Sequence, residues 1–412
     1  MDITPSLYFV KCLVKSMVRL IDNAYAFCYA LVMTTLTTSK ARGENMAQAI
    51  HIDFIAARLA SHGLDRPRFA SAREVVAHFG CLQAQDIGQA AWNVGSRLDG
   101  ASESDVRDAL VCGHIVRTWP MRGTLHYVDP KKVRWLLSLC ASKTLAGFAR
   151  RRAFLGISDA DAEKAIAVMK KDLRGGKVIS RGELSARLAK SGIPMKGQWG
   201  YHLACYAATR GVICFGPPTE EGETFVLIDD WIKESEKLSR DEQLLELARV
   251  YVRSHGPVTA NDLAWWSGLG KGDCRKAFKM ISGECKSFED PTTRQTHLYI
   301  SPPPAKPRIA ATSVRLIGGF DEYFLGYGDR SPVADRAQHS RLFTVNGIFF
   351  PLILQNGVVA GLWKRAFKKD RIAFSFETLP GRKFSQRALT SEMERGARFY
   401  GIKEYTIDGS AK

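Results

Sequence analysis

No two of the nine cysteines, at positions 12, 28, 81, 112, 140, 205, 214, 274 and 285, stand at the spacing that zinc sites use. A metal site is therefore not expected. An odd count without a regular framework fits a reducing compartment, where a buried cysteine acts as a small apolar residue, so a cytoplasmic protein is expected. Long apolar runs are missing too. The solidly apolar part of the uncharged stretch between Asp22 and Lys40, Ala24 to Met33, is shorter than the roughly 20 residues a spanning helix needs. No membrane association is expected. Lys11, Lys15 and Arg19 imitate a secretory signal, but Asp22 interrupts it and no small-residue cleavage site follows. Met46 stands just before the first strongly periodic segment, so residues 1–45 read as an N-terminal extension, with translation from Met46 as the alternative.

Acidic residues are also scarce. Against 42 Asp and Glu stand 59 Lys and Arg, a formal charge of +17, which points to a polyanionic partner and to nucleic acid first. Charge reports attraction to phosphate and does not separate an enzyme from a binding protein. With 45% hydrophobic residues over 412 positions the chain has the means to build two to three cores, which excludes general disorder.

The body of the chain repeats in layout more than in letters. In 175–229 a Ser180-x-x-Glu183 capping box opens a helix, GYHLACYAATRG supplies a second, and VICFGPPTEEGETFVLI reads as a hairpin. In 241–300 the order returns, with an amphipathic DEQLLELARVYVRSHG, Thr259-x-x-Asp262 capping DLAWWSGLG, then CRKAFKMISGE and two short strands. Residues 50–130 give a less regular copy in which AREVVAHFGCLQAQD is a helix running into a turn and IVRTWPMRGTLHYV supplies paired strands. Helix, helix and wing is the layout of a winged helix-turn-helix. The expected architecture is α+β, with three tandem winged helix-turn-helix units over 46–150, 151–235 and 236–305. A single large α+β enzyme is the alternative. Residues 306–412, with RLIGGFDEYFLGY, RLFTVNGIFFPLIL, GVVAGLWKR and RIAFSFETL, alternate in the strand manner and predict a β-barrel or bent sheet closed by a helix from about Phe384 to Tyr400.

Within 363–387 a basic stripe with interleaved aromatics holds Lys364, Arg365, Lys368, Lys369, Arg382 and Lys383. Such a stripe suits duplex phosphates, although most charge runs are solvated faces. Arg150, Arg151 and Arg152 form a second cluster, either near DNA or at a plain helix end. In WPMRGTLHYV, Arg122 and the earlier Arg117 are candidate phosphate or lesion contacts, whereas His126 reads as a core histidine. Asp321, Tyr327 and Arg330 have the polar density of a site at a barrel rim or of a hydrogen-bonded corner.

The stretch VVAHFGCLQAQDIGQAAWNVGSRL concentrates Gln83, Gln85, Asp86 and Gln89 at the end of an apolar run. Gln83 and Gln85 face one way only if the backbone there is extended or turning. The bland reading is backbone capping. GCLQAQDIGQAAWNVGSRL, IVRTWPMRGTLHYV, DEYFLGYGDR, NGIFFPLIL and VVAGLWKR together resemble, over about 50–400, the winged-helix DNA-binding domain family whose characterised members are AlkZ-like bacterial DNA glycosylases.

That resemblance implies tandem winged helices around a C-shaped cleft with a central β-barrel. It also implies hydrolysis of the N-glycosidic bond of bulky or crosslinking alkyl adducts, especially N7-alkylated purines. The family's catalytic motif is Gln, a small or apolar residue, then Gln in AlkZ-type members, or Asp in the sister AlkX/YcaQ type. Gln83-Ala84-Gln85 resembles the first, so the resemblance assigns the catalytic roles to Gln83 and Gln85, while Asp86 lies one position past the sister type's carboxylate. The implied partner is double-stranded DNA with alkyl lesions, met by a monomer without a cofactor. A transcription regulator and a non-catalytic lesion binder are the competing readings. Neither a ligand domain nor a dimerising heptad seam supports the regulator.

Overall fold

The computed structural model describes residues 54–220, 222–290, 293–300 and 313–407. The expected N-terminal extension and Met46 lie outside the described residues. Among the described residues, no helix is long and apolar enough to cross a membrane, and no group of three or more His, Cys, Asp or Glu could hold a metal ion.

The first block begins with a helix over 54–61 and the helix Ala72–Phe79, whose Val75, Val76 and Phe79 are buried. The sequence predicts one helix running on towards the glutamines. Instead it stops at Gly80, whose φ of 71° suits glycine and where a Cβ would sit 2.8 Å from Val250 Cγ1. The chain leaves in the strand Cys81–Gln83, re-enters helix as Ile87–Gly95 and Glu103–Val111, and returns as the hairpin strands Val116–Met121 and Thr124–Val128. These strands form one antiparallel sheet with Thr124–Val128 at its centre.

Two further blocks follow the layout read from the sequence. Helices Asp159–Asp172, Arg181–Lys190 and Trp199–Thr209 precede the antiparallel pair Ile213–Phe215 and Thr224–Leu227, which Ile179–Ser180 joins as a third strand. Helices Arg240–His255, Ala260–Ser267 and Lys271–Ile281 precede the pair Lys286–Glu289 and Thr296–Tyr299. Both expected capping boxes form: Ser180 accepts from Glu183 N and Thr259 from Asp262 N, each at 3.2 Å. Each such cap stabilises its helix by about 1 kcal/mol.

The C-terminal region is a five-stranded sheet in the order Glu404–Ile407, Arg371–Thr378, Val358–Lys368, Leu352–Gln355, Val314–Ile317. It is antiparallel except for the first pair, and its two edge strands do not pair with each other, so the expected closed barrel is corrected to an open sheet. Within segments expected as strands, DEYFLGY forms the helical turn Glu322–Leu325, and RLFTV begins in the helical turn His339–Leu342. Asp321 caps the first through Tyr323 N at 2.9 Å. With those segments helical, five strands remain, and they make the open sheet. The expected closing helix is present as Gln386–Phe399.

The first block and this sheet share one core containing Trp92, Trp363, Phe374, Met393 and Phe399. Trp92 and Trp363 each donate an indole N–H to a carbonyl of the strand Val314–Ile317 or its end, to Leu316 O at 2.9 Å and Ile317 O at 2.8 Å. Asn93 accepts from Gly318 N at 2.8 Å and donates to Gly319 O at 3.1 Å. Gly95 packs so closely on Phe399 that a Cβ there would overlap the ring. The helix that follows the glutamines is thereby held in place.

Candidate active site

Gln83 pairs with His126, and Ala84 N donates to Leu125 O at 2.7 Å, so the ladder runs as far as Ala84 before the chain bends at Gln85. The backbone that the spacing of Gln83 and Gln85 called for, extended or turning, is extended at Gln83 and bends at Gln85. Gln83 is buried and Gln85 exposed. Each side-chain oxygen takes one protein donor: Arg122 Nη2 reaches Gln83 Oε1 at 3.1 Å, and Leu125 N reaches Gln85 Oε1 at 3.2 Å. Each amide is held as an oriented dipole with a second acceptor site on its oxygen.

Arg122 and Gly123 make the two-residue turn between the hairpin strands, at φ 56° and 70°. Such turns favour Asn-Gly, because a left-handed conformation strains a longer side chain. An arginine kept there points to a use for its guanidinium. Burial pulls the Arg122 pKa down from its usual value, and Glu322 opposes that pull.

Beneath the motif lies Glu322, which the sequence reading passed over in favour of its neighbours. Its Oε1 accepts from Gln83 N at 2.9 Å and its Oε2 from Trp266 Nε1 at 3.0 Å, with His255 Nε2 3.5 Å away. Burial would raise this carboxyl, but His255, Arg122 and His126 hold it below the usual range. It is a buried anion. The only local signal was an acid inside the apolar run Glu322–Leu325.

His126 is fully buried and takes the core role expected of it. Burial first, then Arg122, lower its pKa to about 4. A neutral ring with its proton on Nδ1 serves both contacts, donating to Thr124 O at 2.9 Å and accepting from Arg122 Nη2 at 3.5 Å.

Asp86 caps the next helix through Gln89 N at 2.9 Å, and Gln89 Oε1 accepts from Gly319 N at 3.1 Å. Both are structural. Arg117, expected at DNA, is instead buried on the opposite face of the sheet, paired in register with Tyr127. It donates to Ala84 O at 3.2 Å and to Glu223 Oε1 at 2.7 Å, so a partly exposed carboxylate of the protein itself neutralises its charge. Asp321 is locked to Arg97 by two bonds of 2.9 and 2.8 Å, Tyr327 donates to His255 O at 2.6 Å, and Arg330 is buried, which makes that group the hydrogen-bonded corner.

The basic stripe forms a hairpin. Lys364 and Arg365 lie on Val358–Lys368, Lys368 and Lys369 stand at its tip, and Arg382 and Lys383 follow Arg371–Thr378. All are exposed except Arg365, whose guanidinium lies 4.8 Å over Tyr400 and reaches Gln89 Oε1 at 3.4 Å. The structure thus brings Gln83, Gln85 and Arg122 together and links the stripe to the helix behind them through Arg365.

A family model described as DNA glycosylase AlkZ-like matches residues 76–399. An interstrand DNA cross-link repair glycosylase of Streptomyces sahachiroi is 28% identical over 312 residues, 71% of this chain and 82% of the relative. The solved structure of the Streptomyces sahachiroi DNA glycosylase AlkZ superposes with a TM-score of 0.73 at 24% identity, covering 87% of this chain and 98% of that one. It shares the fold.

Proposed function

Because this chain belongs to the AlkZ-like DNA glycosylase family, we propose that it hydrolyses the N-glycosidic bond of N7-alkylated purines in duplex DNA, bulky and interstrand-crosslinked adducts included, and leaves an abasic site. The observation that carries the reading is the pair of amides Gln83 and Gln85 at the end of the strand Cys81–Gln83, each oriented by a protein donor. The relative from Streptomyces sahachiroi carries crosslink repair in its name, which supports the same substrate class here.

Alkylation at N7 makes the purine cationic, so the base leaves neutral and needs no general acid. A water bonds to C1′ through its oxygen, the electrons of the C1′–N9 bond pass to the purine, and the water's proton passes to solvent. An amide oxygen is too weak a base to take that proton. The free acceptor sites of Gln83 and Gln85 orient the water and face the oxocarbenium-like sugar with fixed dipoles. Uncharged bases, poor leaving groups without an acid, are spared.

The three helix-and-hairpin blocks are read as winged helix-turn-helix units over 46–150, 151–235 and 236–305, arranged along a C-shaped DNA cleft. The hairpin bearing Lys364, Lys368 and Lys369, with Arg382 and Lys383 in the segment after it, contacts phosphates of the duplex. The protein acts in the cytoplasm as a monomer without a cofactor. The test is alkali-revealed strand cleavage of duplexes carrying one N7-alkylguanine, as monoadduct and as crosslink. Wild type cleaves, and Gln83→Ala and Gln85→Ala fall at least about tenfold with DNA affinity kept. Salt-sensitive binding without cleavage of either lesion would make the protein a binder or regulator.

A further inference from the structure

Arg122 borders a second feature at the hairpin turn. A cavity of about 480 Å³ is lined by Arg122, Gly123, Lys143, Thr144, Arg151 and Gly268, among others, and no carboxylate lines it. Gly268, at φ 75°, lies against Arg122, where a Cβ would be 3.2 Å from Cγ. The three cations keep donors to give. Arg122 Nε is buried without a partner among the described residues. Lys143 gives one bond, to Gly268 O at 2.8 Å, and an ammonium carries three donors. Arg151 gives a bond to Gln198 and has a guanidinium's five.

Three cations without a lining acid repel a cationic base and attract an anion. On the reading above the lesion is the cation, and the anions of the duplex are its phosphates. We propose that this cavity receives one backbone phosphate of the damaged strand next to the lesion, and that Arg122 joins that phosphate to Gln83. One side chain then serves both, with Nη2 on the glutamine oxygen and the arginine lining the cavity. Phosphate capture and alignment of the amide under C1′ become a single event. This explains why an arginine occupies a turn position that favours asparagine.

The test is equilibrium binding, so it does not depend on cleavage. A duplex carrying a tetrahydrofuran abasic analogue is prepared with one neutral methylphosphonate at each linkage in turn, and affinities are read by fluorescence anisotropy. Wild type loses about tenfold at one linkage beside the analogue and little elsewhere. Lys143→Ala/Arg151→Ala changes two exposed residues. It has a log–log salt slope shallower by about one and pays no further penalty at that linkage. Arg122→Asn, which suits the turn, keeps the thermal midpoint and also loses the linkage-specific penalty. Variants that keep the wild-type slope and penalty, or a wild-type penalty spread evenly over all linkages, would overturn the proposal. Failure of wild type to release any base while these binding results hold would overturn the glycosylase reading instead.

Discussion

The two faces of the small sheet built from Cys81–Gln83, Thr124–Val128 and Val116–Met121 carry similar residue types to opposite ends. On one face, Arg117 pairs with Glu223, and Tyr127, its phenol pushed up to about 12 by burial, borders a cavity of about 320 Å³. On the other, Gln83, His126 and Arg122 meet above the buried Glu322. The difference is where the carboxylate sits. Glu223 takes the Arg117 guanidinium directly, whereas Glu322 gives its oxygens to Gln83 N and Trp266 Nε1 and influences Arg122 only through space. A positive charge is closed off on the first face and left available on the second.

Three changes would break or sharpen this comparison. The largest effect is expected for Glu322→Ala, which strands the Gln83 and Trp266 N–H donors. Urea unfolding should show a loss of about 4 kcal/mol, and a loss under 1 kcal/mol would mean that the carboxylate does not hold the motif. Next comes a pH effect. His126 has a folded pKa of about 4, below its ordinary 6.5, so the native state binds fewer protons than the unfolded chain between those values. The stability His126 contributes is complete above pH 6.5 and falls away down to about pH 4, by about 3 kcal/mol. His126→Gln should flatten the stability profile in that window by one proton, and an unchanged slope would place the titration elsewhere. The smallest effect is expected for Arg117→Ala. It leaves the partly exposed Glu223 with Arg181 alone, at 3.7 Å, costs about 2 kcal/mol of stability, and keeps the cleavage rate within about twofold. A variant as stable as wild type but slow in cleavage would exchange the roles of the two faces.

How much was legible depended on the range of the interaction. Ser180 with Glu183 and Thr259 with Asp262 were readable because a capping box closes within one turn. The basic residues of 363–387 were readable because a hairpin keeps sequence neighbours together. Gly80 was misread: a helical period through AREVVAHF gave no sign that the strand begins at Cys81, where burial on Val250 of a distant helix favours glycine. Asp321 was read as a candidate contact and Glu322 overlooked, since two adjacent acids look alike until Arg97 claims one and Gln83 N and Trp266 the other.

By itself the sequence determined the basic balance, the block layout, the caps and the Gln83-Ala84-Gln85 motif, because these depend on composition and on neighbours a few residues apart. Tertiary structure alone decided that Arg117 turns inward while Arg122 reaches Gln83, that Glu322 lies under the motif, and that Lys143 and Arg151 share its cavity. Those partners lie far apart in the chain, up to 239 residues for Glu322 and Gln83, and pair only once packing has removed water from between them.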